Sequence, residues 1–257
     1  MSPGTDPLDE PTSRIQRFQR FEHLFNALGR LADHINEILA AGAMKVGKEH
    51  APLLSLIIAL SFGKALKTFQ LRDRVCVLGY GEDALVLVRT NINVLINTAF
   101  ILSPNGDPTE RALDFLAYSV NERIKFLKAA HNQDPSWPLP MPAAEVADRV
   151  KRWGTIANRA AALPPFHYTG GHKLYSSFEH SDLFALDAYF TDWDEIGPRI
   201  ESGESDAHVG LALVHSYAVM ADLFTIVLRF FGIDRPDLTR EIRETWPTLN
   251  PDTVPKP

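Results

Sequence analysis

A chain of 257 residues, 45% hydrophobic and 23% charged, has ordinary globular composition and enough length to bury a sizeable core without a disulfide or metal staple. A net charge of −6 argues against a general nucleic-acid-binding surface, though not against a local basic cleft. The single cysteine, Cys76, lies in an apolar run and reads as a buried inert thiol, and the polar, proline-rich start has no apolar signal core, so a cytoplasmic protein is expected.

Residues 1–13 hold three prolines and little to bury, which predicts a disordered leader. Arg14–Ala41 predicts an amphipathic helix, because Phe18, Phe21, Phe25, Leu28, Ala32, Ile35 and Leu39 recur at spacings of three and four. Leu24, Leu31 and Ile38 widen that stripe. Such a stripe most often faces a core; its other use is a homodimer seam through Phe18, Phe21, Phe25 and Leu28. Gly42–Lys48 is a break, and Pro52 can open a second helix that runs to Leu78 and ends at Gly79-Tyr80-Gly81.

The next stretch, Gly79–Leu102, predicts a helix apolar on nearly every side that nonetheless carries Arg89, Asn93 and Asn97 at four-residue spacing. That spacing stacks them in one polar stripe, and a guanidinium among apolar neighbours costs free energy unless something answers it. Leu53–Phe62 is short and Ala84–Leu102 carries Arg and Asn, so neither is expected to cross a membrane.

Asp107-Pro108-Thr109-Glu110 reads as an N-cap, a first-turn proline and a capping-box glutamate. The helix it opens, to about Ala130, is expected to bury Leu113, Leu116, Val120, Ile124 and Leu127. Beyond the proline-rich 131–142, Val146, Val150, Trp153 and Ala157 share a face of a helix stopped by Pro164-Pro165. Phe166–Gly171 reads as a loop, Lys173–Phe190 as a helix, and Thr191–Glu204 as an exposed or flexible insertion. Ser205 caps a long helix, Asp206–Phe231, closed by Gly232; a short helix, Pro236–Trp246, follows. Sustained alternation is lacking, so the expected fold is all-α, about seven helices bundled in a single domain over 14–246, with a proline-rich tail at 247–257.

Three stretches in order resemble DUF5677, a domain of unknown function in uncharacterised bacterial helical proteins. They are Gly81-Glu-Asp-Ala84 leading to Leu87-Val-Arg89, the aromatic helix at Phe115–Tyr118, and Tyr175-Ser176-Ser-Phe-Glu-His180, together spanning roughly Arg14–Phe190. The resemblance implies an α-helical fold and candidate positions, and no known reaction. Asn93 stands where the family usually places a glutamate; an amide still accepts a hydrogen bond from a guanidinium but cannot neutralise it.

The candidate ligand-binding residues are Arg89, Asn93, Ser176, His180 and His215, with Asp222 one heptad after His215 on the same face. Together they would make a polar pocket for a small anionic ligand or a protein partner, in which Arg89 holds an anionic group, His180 moves a proton and Ser176 or Asn93 orients the ligand. The bland alternative is that these side chains satisfy one another. A metal-independent ribonuclease of toxin or defence type would use His180 as acid/base and Arg89 as phosphate stabiliser. Arg17 and His23 have a nuclease-like spacing that composition alone would supply. Ser176 and His180 lack the elbow that exposes a nucleophilic serine. The histidines show no paired spacing for a metal, Gly79-Tyr80-Gly81 lacks the rest of a phosphate loop, and no cofactor is signalled.

Overall fold

The computed structural model describes residues 9–44, 52–136, 144–165, 167–173, 175–176, 190–194, 197–200, 204, 206 and 208–249. In chain order its α-helices are α1 (Asp9–Arg20), α2 (Glu22–Ala40), α3 (Pro52–Val77), α4 (Gly81–Ile101), α5 (Pro108–Gln133), α6 (Ala144–Trp153), α7 (Ile156–Ala160), α8 (Val209–Phe230) and α9 (Pro236–Thr245). The fold is all-α, with one small exception. Phe190–Asp194 (β1) and Gly197–Ile200 (β2) form an antiparallel hairpin with an irregularity between Phe190 and Asp192, where the sequence predicts an insertion.

Helices α4 and α8 make the most extensive contact, and α3 packs on both. Their sequences explain why. Both are apolar on nearly all sides, so each must be covered all round. α8 buries Leu213, Tyr217, Met220, Phe224 and Val227 against its neighbours, and α4 buries Leu85, Ile92, Leu95 and Ile96. α2 covers a further side of α8. It does so with Leu24, Leu28, Leu31, Ile35 and Ile38, a somewhat rotated version of the predicted stripe that leaves Leu39 exposed. Phe21, Phe25 and Leu28 lie in that core, and only Phe18 of the four residues expected at a dimer seam is exposed. Three of the four are therefore already covered by this chain's own helices.

Two predicted helices are broken. The first begins at Asp9, inside the expected leader, and kinks at Phe21, whose φ of −108° and ψ of 17° leave the helical region. The Phe21 ring seats against Gly210 at the start of α8, where an added Cβ would stand 3.1 Å from it. The second break falls at Gly154, with φ +66°, where a helix was expected to continue through Ala157. Thr155 then caps α7 by accepting from the Asn158 N–H at 3.3 Å.

Asp107 caps α5 as its sequence indicates, accepting from the Thr109 N–H at 2.8 Å with Pro108 in the first turn. The buried face of α5 matches the expected one only in part, with Leu113 and Leu127 half-buried. Ala112, Asp114, Ala117 and Ile124 are buried, whereas Leu116 and Val120 are exposed. The small residues let α6 approach closely, and Asp114 is retained because it accepts from Arg149 at 3.2 Å and Arg152 at 2.8 Å. α8 opens at Val209 after a left-handed His208, three residues later than expected, and closes at Gly232 in the left-handed conformation.

By length and composition α3, α4 and α8 could each cross a membrane, so the expectation that Leu53–Phe62 is too short and that Arg and Asn bar Ala84–Leu102 does not hold. Here they pack against one another, and each carries polar groups inside the fold. Arg72 on α3 is fully buried, with Nη2 2.7 Å from Asp73 and the guanidinium over the Phe69 ring at 4.6 Å. Its Nε and Nη1 have no hydrogen-bond partner among the described residues, and burial pushes its pKa down. Burial pushes the Cys76 thiol, one turn on, up to about 12, which fits the inert thiol read from the sequence.

Candidate functional site

The polar stripe of α4 faces α7 and a π-helical turn at His167–Lys173, which the sequence predicts as a loop running into a helix. Arg89, Asn93 and Asn97 are all half-buried, and each has a different fate. Arg89 Nε donates to Ser176 Oγ at 2.9 Å, and the same hydroxyl donates to the His172 carbonyl at 2.6 Å. A serine oxygen can do both at once, so it ties α4 to the end of the π turn. At the other end, Arg159 of α7 donates from Nε to Asn97 Oδ1 at 3.0 Å and from Nη1 to the Gly154 carbonyl at 2.8 Å. Its guanidinium lies over the Trp153 ring, 4.6 Å from the centroid, and burial pushes its pKa down.

Between these two bonded ends stands Asn93. Its Oδ1 is sealed from solvent and accepts no hydrogen bond from the described residues. A buried acceptor without a donor costs about 1–3 kcal/mol, so this is the one member of the stripe whose position the fold itself does not repay.

α8 meets the π turn and the residue before Ser176. The His215 ring and the Tyr175 hydroxyl are in hydrogen-bond contact through Nδ1, and His167 Nε2 lies 2.8 Å from Asp222 Oδ2. His215 and Asp222, placed on one face by their spacing, thus meet the same short segment, residues 167–175. Burial and the neighbouring His167 lower the His215 pKa to about 4, and burial drives the Tyr175 pKa well above its ordinary value. At neutral pH the phenol is therefore protonated and the imidazole neutral, and the two share one hydrogen bond with neither group ionised. A histidine so held is a poor proton shuttle near pH 7.

Of the sequence candidates, Arg89 and Ser176 meet directly, Asn93 lies one turn along from Arg89, and His215 meets Tyr175, the residue before Ser176. His180 lies outside the described residues, and so does its partnership with Arg89. Arg17 and His23 make no joint site. Arg17 is buried, with Nε 2.6 Å from Asp206 and Nη1 donating to the Val77 carbonyl at 2.9 Å, while His23 is exposed beyond the Phe21 kink. Among the described residues no group of three or more metal-ligating side chains is clustered. Sequence reasoning missed Arg159 as the partner of Asn97 and His167 as the partner of Asp222. Neither pairing leaves a local signal, because the partners are far apart in the chain.

No curated protein and no solved structure matches this chain. A family model described as a family of unknown function, DUF5677, matches residues 55–197. The matched region starts later than the resemblance in sequence suggested, at α3, and it leaves out α8, which supplies His215 and Asp222. Since the match covers more than half of the chain, and the Arg89 stripe and Ser176 both fall inside it, the protein belongs to the DUF5677 family.

Proposed function

We propose that this protein binds a small anionic molecule along the α4 stripe, with Arg89 at the anion and Asn93 Oδ1 accepting from a neighbouring hydroxyl or amine of the ligand. The observation that carries this reading is the orphaned Asn93 acceptor, one helical turn from a guanidinium. Asn91 Oδ1 and two Arg72 nitrogens are also unanswered among the described residues, and what sets Asn93 apart is its place in the stripe, between the bonded Arg89 and Asn97. The ligand class follows from the donor set: a carboxylate or phosphate with an O–H or N–H close by. A passive binder suits the chemistry better than a ribonuclease, because His215 is held neutral and locked to Tyr175.

Replacing Asn93 with the isosteric leucine separates the two readings of the cluster. Removing an unpaired buried acceptor should stabilise the free protein by about 1–3 kcal/mol whatever its role. If the site binds, the parent protein gains thermal stability from a member of a panel of hydroxy acids, amino acids and phosphate monoesters, and Asn93→Leu and Arg89→Ala lose that gain. Stabilisation of Asn93→Leu with no ligand response in the parent would leave the stripe purely structural. Cleavage of RNA by the parent, lost in His180→Ala, would favour the nuclease instead.

A further inference from the structure

The C-terminal ends of α4 and α8 flank a cleft of about 450 Å³, in the range of small-molecule sites. Its walls are apolar: Leu54, Leu102, Pro104, Leu163, Ile226 and Phe230. The exposed carbonyls at the end of a helix would ordinarily repel an anion. At α4 they are already answered, because Arg111 donates to the Phe100 carbonyl at 2.9 Å and the Ser103 carbonyl at 2.8 Å. Arg111 is thereby spent. Arg229, in the last turn of α8, is not: it lines the cleft, its side chain reaches solvent, and its guanidinium has no hydrogen bond or ion pair among the described residues. Asp234 lines the adjoining groove, on which Arg229 also borders, without forming an ion pair with it. By contrast Arg149, Arg152, Arg159 and Arg235 all hold acceptors.

An apolar cleft with one uncommitted cation at its lip suits a molecule that is apolar along its body and anionic at one end. We infer that this cleft binds a medium-chain aliphatic carboxylate, with the chain among Leu102, Leu163, Ile226 and Phe230 and the carboxylate at Arg229. A neutral apolar guest would gain from the walls but leave Arg229 where it is, whereas a carboxylate gains from both. The site is separate from the α4 stripe, since Arg89 and Leu102 lie about 20 Å apart along the helix axis.

Decanoate is the probe, titrated into the full chain and followed by methyl NMR. The methyl signals of Leu102, Leu163 and Ile226 should shift together and saturate. Arg229→Glu should weaken decanoate about 10-fold and leave decan-1-ol unchanged, because it reverses the charge at an exposed position without touching the walls. Leu163→Trp, which fills the cleft, should abolish both. Arg89→Ala should leave decanoate affinity intact, so a failure of this cleft and a failure of the α4 site read differently. Unshifted methyl signals at about 1 mM decanoate, or an Arg229→Glu affinity within about twofold of the parent, overturn the assignment.

Discussion

His215 shows how one side chain can make stability depend on pH. Its folded pKa, about 4, lies below the ordinary histidine value near 6.5. As pH falls through 6.5 the unfolded chain takes up a proton that the folded chain refuses. Stability is therefore lost between pH 6.5 and pH 4, by up to about 3 kcal/mol across that window, and is fully present above it. Paired carboxylates also weaken on acidification, so the informative quantity is a difference. Urea unfolding at pH 7.5, 6 and 5 should show the parent losing more stability than His215→Gln. Parallel pH profiles would mean that the ring is solvated and the Tyr175 contact is incidental. The neighbouring Arg89 was legible as an anomaly in an apolar helix, and its partner Ser176 was legible as a candidate. The direct bond between them was not, since nothing local encodes a contact across 87 positions.

At the scale of elements, the corner of α5, α6 and α7 is organised by one residue. Trp153 is 1% exposed and its ring meets Phe100, Phe115 and Tyr118, while Arg159 covers it from α7. Trp153→Ala should cost about 3–5 kcal/mol in denaturant unfolding, because it empties the junction of three helices and removes the plane on which Arg159 rests. A loss below about 1 kcal/mol would show that α6 packs loosely and that α4 does not depend on it. Helix identity here was readable from periodicity and from the Asp107 cap. Two other features were not. Helix phase failed in part on α5, where Ala112 and Ala117 replace leucines as the contact residues and Asp114 enters the interface with two arginines. Breaks failed at Phe21 and Gly154, because both lie inside patterns that continue across them.

The whole molecule is built around a helix that the family match omits. α8 touches α2, α3 and α4, and Asn91 of α4 reaches Met220 of α8 with Nδ2 3.7 Å from the sulfur. A fragment of residues 55–197 would bare that face of α4, with Leu85, Ile92 and Leu95 beside it. It should be recovered as aggregate or as a dye-binding, loosely packed state, and co-expression with residues 204–249 should rescue a soluble, cooperatively unfolding species. A fragment that unfolds cooperatively by itself would place the true core elsewhere. The all-α class was evident from composition and from absent alternation, but the central role of α8 was not, because an apolar helix announces that it is covered without saying by what. Arg17 adds a last tie of this kind. By holding the Val77 carbonyl and the Glu204 carboxylate with Nη1 and the Asp206 carboxylate with Nε, it fastens α1, the end of α3 and the approach to α8 at a single knot. Fraying at the amino end would therefore not stay local: amide protection at these three places in the chain should rise and fall in concert, as one foldon.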